Sequence, residues 1–114
     1  MEENNIIVEK SKRFAVRIVN LYKYLINDKK EFILSKQLIR SGTSIGANVH
    51  EAIRGISKAD FKSKMNIALK EASETEYWLE ILYETGYLSK KEYESIIDDC
   101  VEINKILISI VRSS

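Results

Sequence analysis

No proline occurs among the 114 residues of the chain, and glycine occurs only four times. An all-β domain needs both residues at its many tight turns, so this composition argues against one. Long helices are favoured instead, because proline is a strong helix breaker. The chain is 45% apolar and 31% charged, which is typical of a globular protein, here a single domain over residues 1–114.

Three polar residues are candidate N-caps that indicate helix starts. Each is followed three positions later by an acid whose side chain can accept from the backbone N–H of the N-cap residue, as in a capping box. The pairs are Asp28 with Glu31, Ser57 with Asp60, and Ser89 with Glu92. Gly55 and Gly86 stand just before the second and third pairs, where a left-handed residue commonly ends a helix. The sequence therefore predicts four helices, over residues 5–27, 29–54, 58–85 and 90–112.

Each predicted helix carries one apolar stripe at helical spacing. Because the connections are short, neighbouring helices must run antiparallel. We therefore expect an all-α protein, an antiparallel up-down-up-down four-helix bundle. The main stripe residues, helix by helix, are Ile7, Phe14, Ile18, Leu21 and Leu25; Leu34, Leu38, Ile45, Val49, Ala52 and Ile56; Phe61, Met65, Ala68, Leu69, Ala72, Leu79 and Tyr83; and Tyr93, Ile96, Cys100, Ile103, Leu107 and Ile110.

The second helix contains the segment SGTSIGAN, residues 41–48, which is a poor helix former because each glycine costs about 1 kcal/mol relative to alanine. The segment either breaks the helix or is compensated by a tertiary contact. Gly42 and Gly46 flank the apolar stripe, where they would let another helix approach closely. Because the apolar spacing continues in phase through the segment, we expect one continuous helix.

The formal net charge is only +1, but the charges are divided unevenly along the chain. Residues 1–70 hold 14 basic and seven acidic side chains, whereas residues 71–114 hold four basic and ten acidic ones. The basic groups form either an ordinary solvated helical face or a phosphate-binding surface. The second interpretation predicts contacts with RNA or DNA by Lys10, Arg13, Arg17, Arg40, Arg54, Lys58 and Lys62.

Large apolar side chains are also expected on the outer face of the third helix, beyond what one core stripe needs. They form either an interface between copies of the chain or ordinary packing at the edge of the bundle. We expect the interface, with Tyr77, Trp78 and Ile81 as contact residues and Leu82 beside them.

A buried polar network is predicted between the second and third helices. Glu76 projects onto the apolar stripe of the third helix, and a buried carboxylate must be paired or neutral. On the second helix, Ser44, Asn48 and Glu51 share a face that borders the core, so Asn48 could donate to that carboxylate. These four residues are expected to set the register of the bundle. The alternative is a ligand or subunit contact.

Residues that catalysis would need are scarce. The single histidine, His50, is predicted on the solvated face of the second helix, and the single cysteine, Cys100, lies on a core stripe. No phosphate-cradling glycine loop, catalytic triad or zinc spacing is present, so neither an enzyme nor a metal or other cofactor is expected. With no possible intrachain disulfide, no membrane-length apolar run and no signal-peptide pattern, we expect a cytoplasmic protein with no membrane partner.

Residues 38–52, LIRSGTSIGANVHEA, resemble the signature R-(S/A)-x-x-S-I-(P/G)-A-N-(I/V)-x-E of the 23S rRNA intervening-sequence protein family. Residues 78–82 and 85–89 are similar to the third helix of that family and its turn into the fourth. Gly46 stands where many members have proline, and His50 where many have alanine or glutamate. The positions that match the signature by residue are Ser44, Ile45, Ala47, Asn48 and Glu51.

The resemblance implies a four-helix bundle that assembles into a ring-shaped homopentamer. One relative is the accessory protein to the reverse transcriptase of diversity-generating retroelements, and it engages nucleic acid and its partner enzyme through a basic surface. Other members are encoded inside insertions in 23S rRNA genes, which is not evidence that they bind rRNA. We therefore expect a non-enzymatic, oligomeric accessory protein that associates with RNA, or with DNA or a partner protein. The alternative is a scaffold oligomer with no nucleic-acid role.

Overall fold

The chain forms four helices in the computed structural model, which describes residues 2–113 and their side chains from residue 4 onward. The helices are α1 (Glu2–Asn27), α2 (Leu34–Ile53), α3 (Lys58–Glu84) and α4 (Lys90–Ser113). No strand occurs in the described range, so the all-α prediction is confirmed.

The helices surround one core, and each packs against two others. α1 and α3 both contact α2 and α4, whereas the two diagonal pairs make no contact within the described chain. Ser41 meets Thr75 and Glu51 meets Lys64, so residue numbers rise along α2 as they fall along α3. The same antiparallel order follows from Lys10–Glu102 and Arg17–Asp99 between α1 and α4, and from Ser11–Gly46 and Ile18–Gly42 between α1 and α2. The result is an elongated four-helix bundle of 43 × 20 × 18 Å.

The core is built mainly from the predicted apolar stripes, with two differences. Ile56 is 96% exposed, because α2 ends at Ile53 and the chain leaves the core before residue 56. Leu82, predicted on the outer face of α3, is fully buried. Lying three positions after Leu79, it extends the same buried face. Fully buried side chains from each helix include Phe14, Ile18, Leu38, Ile45, Met65, Leu79, Ile103 and Leu107.

The glycine-containing segment of α2 is helical throughout, as predicted. A Cβ atom on Gly42 would lie 2.8 Å from both Cγ atoms of Ile18, and one on Gly46 would lie 3.2 Å from the Ser11 carbonyl oxygen. The glycines therefore allow α1 and α2 to approach closely. Within the segment, the Ser44 hydroxyl donates to the Arg40 carbonyl at 2.6 Å, which satisfies this side chain without interrupting the helix.

The start of α2 differs from the prediction. The helix begins at Leu34 rather than at residue 29, and the Asp28 side chain caps nothing. The Glu31 carboxylate instead accepts hydrogen bonds from the backbone N–H groups of Ile33, Leu34 and Ser35 at 3.1, 2.9 and 2.6 Å. Desolvation by burial raises the pKa of Glu31, but these three donors outweigh it, so the pKa lies below its ordinary value.

The other two helix starts follow the predicted caps. The Ser57 hydroxyl accepts from the Asp60 backbone N–H at 3.1 Å. Ser89 and Glu92 form a reciprocal capping box, in which the Ser89 backbone N–H lowers the pKa of Glu92. After α3, Gly86 adopts the predicted left-handed conformation with φ of 86°. The same prediction for Gly55 is wrong, because its φ is not positive.

Candidate nucleic-acid and subunit interfaces

Three of the predicted nucleic-acid contacts lie on α1, and each is paired with a carboxylate of the same chain. The pairs are Lys10–Glu102 at 3.1 Å and Arg17–Asp99 at 2.6 Å, both between α1 and α4, and Arg13–Glu9 at 2.6 Å within α1. Phosphate binding by these cations would compete with the carboxylates beside them. Two of these cations are thus paired with carboxylates from the acidic half of the chain, and Arg13 with one from its own helix.

Arg40 lies on α2 at the seam with α3, across the bundle from the α1–α4 seam. Its guanidinium donates to Glu74 Oε2 at 2.8 Å, and the same oxygen accepts from the indole N–H of Trp78 at 3.1 Å. Glu74 therefore connects a residue predicted to contact nucleic acid with one predicted to contact another subunit.

The remaining three predicted cations, Arg54, Lys58 and Lys62, lie at one end of the bundle, and we call them the basic tip. Arg54 follows the last residue of α2, Lys58 begins α3, and all three side chains are exposed. The side chains of Arg54 and Lys58 have no hydrogen-bond or ion-pair partner among the described residues. The structure thus distributes the seven predicted cations over two seams and one end rather than one continuous face.

Lys12 is a cation that is not among those predicted from the sequence. With His50 and Ala47 it lines a groove of about 180 Å³ between α1 and α2. His50 is exposed there, as predicted. Lys12 and Arg13 are adjacent on α1. Only the packing of α1 against α2 shows that Lys12, unlike Arg13, lies in the groove beside α2.

The predicted subunit contacts form a partly exposed cluster on α3. Tyr77 is 55% exposed, and its ring meets that of Trp78 edge to face at 5.1 Å. Trp78 and Ile81 are half-buried, and Trp78 packs against the core. Leu82 does not belong to this cluster, because it is buried in the core.

The predicted polar network of Ser44, Asn48, Glu51 and Glu76 is not formed. Asn48 donates to the Ser44 carbonyl of its own helix at 2.8 Å, and Glu51 pairs with Lys64 at 3.0 Å. Glu76 lies on the other side of α3, where it accepts from the Asn104 amide of α4 at 3.1 Å. The prediction failed because it placed Glu76 against α2 rather than α4.

Two other polar contacts cross the bundle instead. The hydroxyl groups of Ser41 and Thr75, both fully buried, meet at 2.9 Å between α2 and α3. Between α3 and α4, the buried Asn104 donates its amide nitrogen to Glu76, while its amide oxygen has no hydrogen-bond partner among the described residues. A sequence signal existed for Ser41 and Thr75, because each lies three positions after a core residue, Leu38 and Ala72 respectively.

Cys100 is buried, as its place on the α4 stripe predicts. Desolvation by burial, with smaller contributions from Glu76 and Asp99, raises the pKa of this thiol to about 12. It is therefore protonated at neutral pH and is neither a nucleophile nor a ready metal ligand.

In the part of the chain that the structure describes, no three histidine, cysteine or acidic side chains are grouped to hold a metal ion. None of the described helices is both long and apolar enough to cross a bilayer.

Comparison with known proteins identifies the family. The sequence profile of the 23S rRNA-intervening sequence protein family matches residues 3–109. The chain belongs to this family. The resemblance of residues 38–52 to the family of 23S rRNA-intervening sequence proteins is thereby confirmed.

A solved structure supports both the family and the fold. It is the crystal structure of a protein with unknown function from the S23 ribosomal protein family of Bacteroides thetaiotaomicron VPI-5482. The two chains share 61% sequence identity with a TM-score of 0.95, and the match covers 96% of this chain and 98% of the other. No curated protein sequence matches the chain.

Proposed function

We propose that this 23S rRNA-intervening sequence protein is a non-enzymatic, oligomeric accessory protein of the cytoplasm that associates with RNA through its basic surface. The observation that carries the proposal is the basic tip. Arg54 and Lys58 are exposed there without a carboxylate partner in the described chain, and Lys62 lies one turn beyond Lys58. Asp60 is the acid in the first turn of α3, so the tip keeps a positive balance.

The contrast with the ion-paired cations favours the tip as the phosphate contact. A phosphate approaching Lys10 or Arg17 meets a carboxylate within 3.1 Å of the cation, whereas one approaching Arg54 or Lys58 does not. The N-terminal end of α3 adds the positive end of a helix dipole beside Lys58. Contacts of this kind hold the nucleic-acid backbone and read no base sequence.

Binding can be tested with a double variant of the tip, Arg54→Ala/Lys58→Ala. We expect its affinity for a labelled single-stranded RNA to fall about tenfold at low salt, because two phosphate contacts are lost. The slope of log K against log salt should decrease by about 1.4, since each single-strand phosphate contact contributes about 0.7. Fluorescence anisotropy over a salt series measures both quantities.

The matched control is Lys10→Ala/Arg13→Ala, which removes the same number of charges from cations already paired with Glu102 and Glu9. Its affinity should change less than that of the tip variant. Equal losses in the two variants would mean that net charge alone governs binding. No detectable binding by the unaltered protein at low salt would contradict the proposal itself.

The competing function is a scaffold oligomer without a nucleic-acid role, and the exposed Tyr77 ring beside Trp78 and Ile81 favours it. Aromatic groups of this size are common anchors of protein interfaces. We propose the same cluster as the subunit contact in either case. Assembly without RNA binding at low salt would support the scaffold over the RNA-associated protein.

The assembly is expected to have a mass of about five chains of 13.2 kDa each by light scattering. Tyr77→Ser/Ile81→Ser should weaken association by about 2–4 kcal/mol, since anchor residues at an interface contribute more than 1 kcal/mol each, and should shift the mass toward one chain. The control is Val16→Ser, which removes an apolar side chain of similar exposure from α1. A single-chain mass for the unaltered protein across micromolar concentrations would rule this interface out.

A further inference from the structure

The turn between α1 and α2 presents two neighbouring apolar side chains to solvent. Phe32 is 55% exposed and Ile33 is 76% exposed, and neither belongs to the core. They lie at the end of the bundle opposite the basic tip, because α2 runs from this turn to Arg54. Neither residue is among those that the sequence singles out for function.

This turn is held in one conformation by an unusual set of contacts. The buried Glu31 carboxylate accepts the backbone N–H groups of Ile33, Leu34 and Ser35, and the Glu31 N–H donates to the Leu25 carbonyl at 2.9 Å. Lys30 stands in the left-handed region with φ of 56°. Because the backbone on both sides of Phe32 is fixed, its ring is presented to a partner with little further ordering.

Lysines flank the apolar pair on both sides in the sequence. Lys29, Lys30 and Lys36 are exposed, and none is ion-paired with a described carboxylate. The Lys29 ammonium lies 5.8 Å from the centre of the Tyr24 ring. Asp28 is the exposed acid of the turn, and Glu92 at the start of α4 is a second exposed acid, which interacts electrostatically with Lys29. Glu31 is buried and engaged, so the three lysines outnumber the exposed acids. Charge complementarity therefore points to an anionic partner that also has an apolar face.

A single nucleic-acid strand fits this description better than a lipid surface. Phe32 and Ile33 together offer fewer carbons than one myristoyl chain, which by itself binds membranes only marginally. Inserting this turn into a bilayer would also direct the basic tip, at the far end of a 43 Å bundle, away from the lipid. A flexible polyanion can reach both ends, and its unpaired bases offer flat apolar faces for an aromatic ring.

We propose that the α1–α2 turn is a second contact site for single-stranded RNA, in which Phe32 stacks on an unpaired base and Lys29, Lys30 and Lys36 hold the phosphates on either side of it. This inference rests on the proposed RNA association and narrows it to unpaired RNA. A duplex cannot use the site in this way, because its base faces are already stacked.

The test compares Phe32→Leu and Phe32→Trp in the full-length protein by fluorescence anisotropy. The probes are an unstructured RNA of about 16 nucleotides, at the upper end of the usual site size, and a fully paired RNA of matched length. Leucine keeps an apolar side chain but removes the aromatic face, so Phe32→Leu should bind the unpaired RNA about tenfold more weakly. Phe32→Trp should bind it as well as the unaltered protein, and its added emission should be quenched by the stacked base. The affinity for the paired RNA should be the same for both variants and the unaltered protein.

The control is Val16→Ser, which removes an apolar side chain of similar exposure from the middle of α1, away from both ends of the bundle, and should leave binding unchanged. Thermal unfolding should be nearly equal for all variants, because Phe32 and Val16 lie outside the core. Equal affinity of Phe32→Leu and the unaltered protein for unpaired RNA would overturn the stacking site while leaving the proposed RNA association intact. If neither the unaltered protein nor any variant binds RNA, the stacking site and the proposed RNA association are both overturned. Sedimentation with phosphatidylserine vesicles that depends on Phe32 and Ile33, without RNA binding, would assign the turn to lipid instead.

Discussion

Gly42→Val is expected to destabilise the bundle by about 2–3 kcal/mol, the upper part of the usual range of about 1–3 kcal/mol for forcing atoms into a packed core. Even a single Cβ atom at this position would lie 2.8 Å from two Ile18 atoms, and valine adds two further methyl groups. Ile18 is fully buried and branched at Cβ, so it cannot rotate away freely. The loss is large against the 5–15 kcal/mol by which domains are commonly stable. Urea unfolding followed by circular dichroism measures it as a lower midpoint at constant slope.

Two further variants make this prediction specific. Ala47→Val introduces the same side chain at an exposed position of α2 and should cost only the lower helix propensity, about 0.5 kcal/mol. In an Ile18→Ala background, Gly42→Val should be less harmful, because the space that valine needs has been opened. Equal costs at positions 42 and 47 would show that close approach of α1 and α2 does not limit the side chain at Gly42.

Glu31→Ala is expected to lower the free energy of unfolding by about 2–3 kcal/mol. The substitution leaves three backbone N–H groups at the start of α2 without their acceptor, and the N–H of Ser35 is buried. Losing an ordinary cap costs about 1 kcal/mol, and an unsatisfied buried donor costs about 1–3 kcal/mol. Asp28→Ala is the informative control, because Asp28 is the cap that the sequence predicts and it is exposed with no capping contact. Its effect should stay within about 0.5 kcal/mol.

Glu31 also makes stability depend on pH. Its pKa is lower in the folded protein than the ordinary value of 4.5, so the unfolded chain binds the proton more readily. The stabilisation is therefore complete above pH 4.5 and is lost as the pH falls through the folded-state value. Glu31→Gln removes this titration, so the difference in unfolding free energy between it and the unaltered protein should shrink on acidification. A difference that stays constant from neutral pH to below the folded-state pKa would show that the carboxylate charge is not what caps α2.

Local features account for the success of the fold prediction. Apolar spacing, the capping residues Ser57 and Ser89, and Gly86 act within one or two turns of the chain, so they can be read directly from the sequence. The start of α2 was missed because the competing cap, Glu31, lies only three positions from Asp28. The pattern of Asp28 followed by Glu31 is equally compatible with either residue acting as the acceptor.

The candidate sites were less predictable, because charges act through space. The sequence shows which residues are basic, but not that Arg17 meets Asp99 or that Arg40 meets Glu74. Those partners are more than 30 positions apart in the sequence and become neighbours only when the helices pack. The same packing buries Leu82 and places Glu76 against Asn104 of α4.

The sequence by itself determined that this protein is an antiparallel four-helix bundle, because helical periodicity and short capped turns leave few other arrangements. It also favoured a continuous α2, since the apolar stripe stays in phase through both glycines, and the close contact of Gly42 with Ile18 in the folded protein accounts for that continuity. Only the tertiary structure decided which cations are neutralised, and which apolar side chains remain outside the core. Both depend on the distance between helices and on their rotation about their own axes. A near-neutral chain thus keeps exposed apolar groups at both ends of the bundle, the α1–α2 turn and the basic tip. Among the described residues, Lys30 and Lys36 near that turn and Arg54 and Lys58 at the tip have no ion-pair partner.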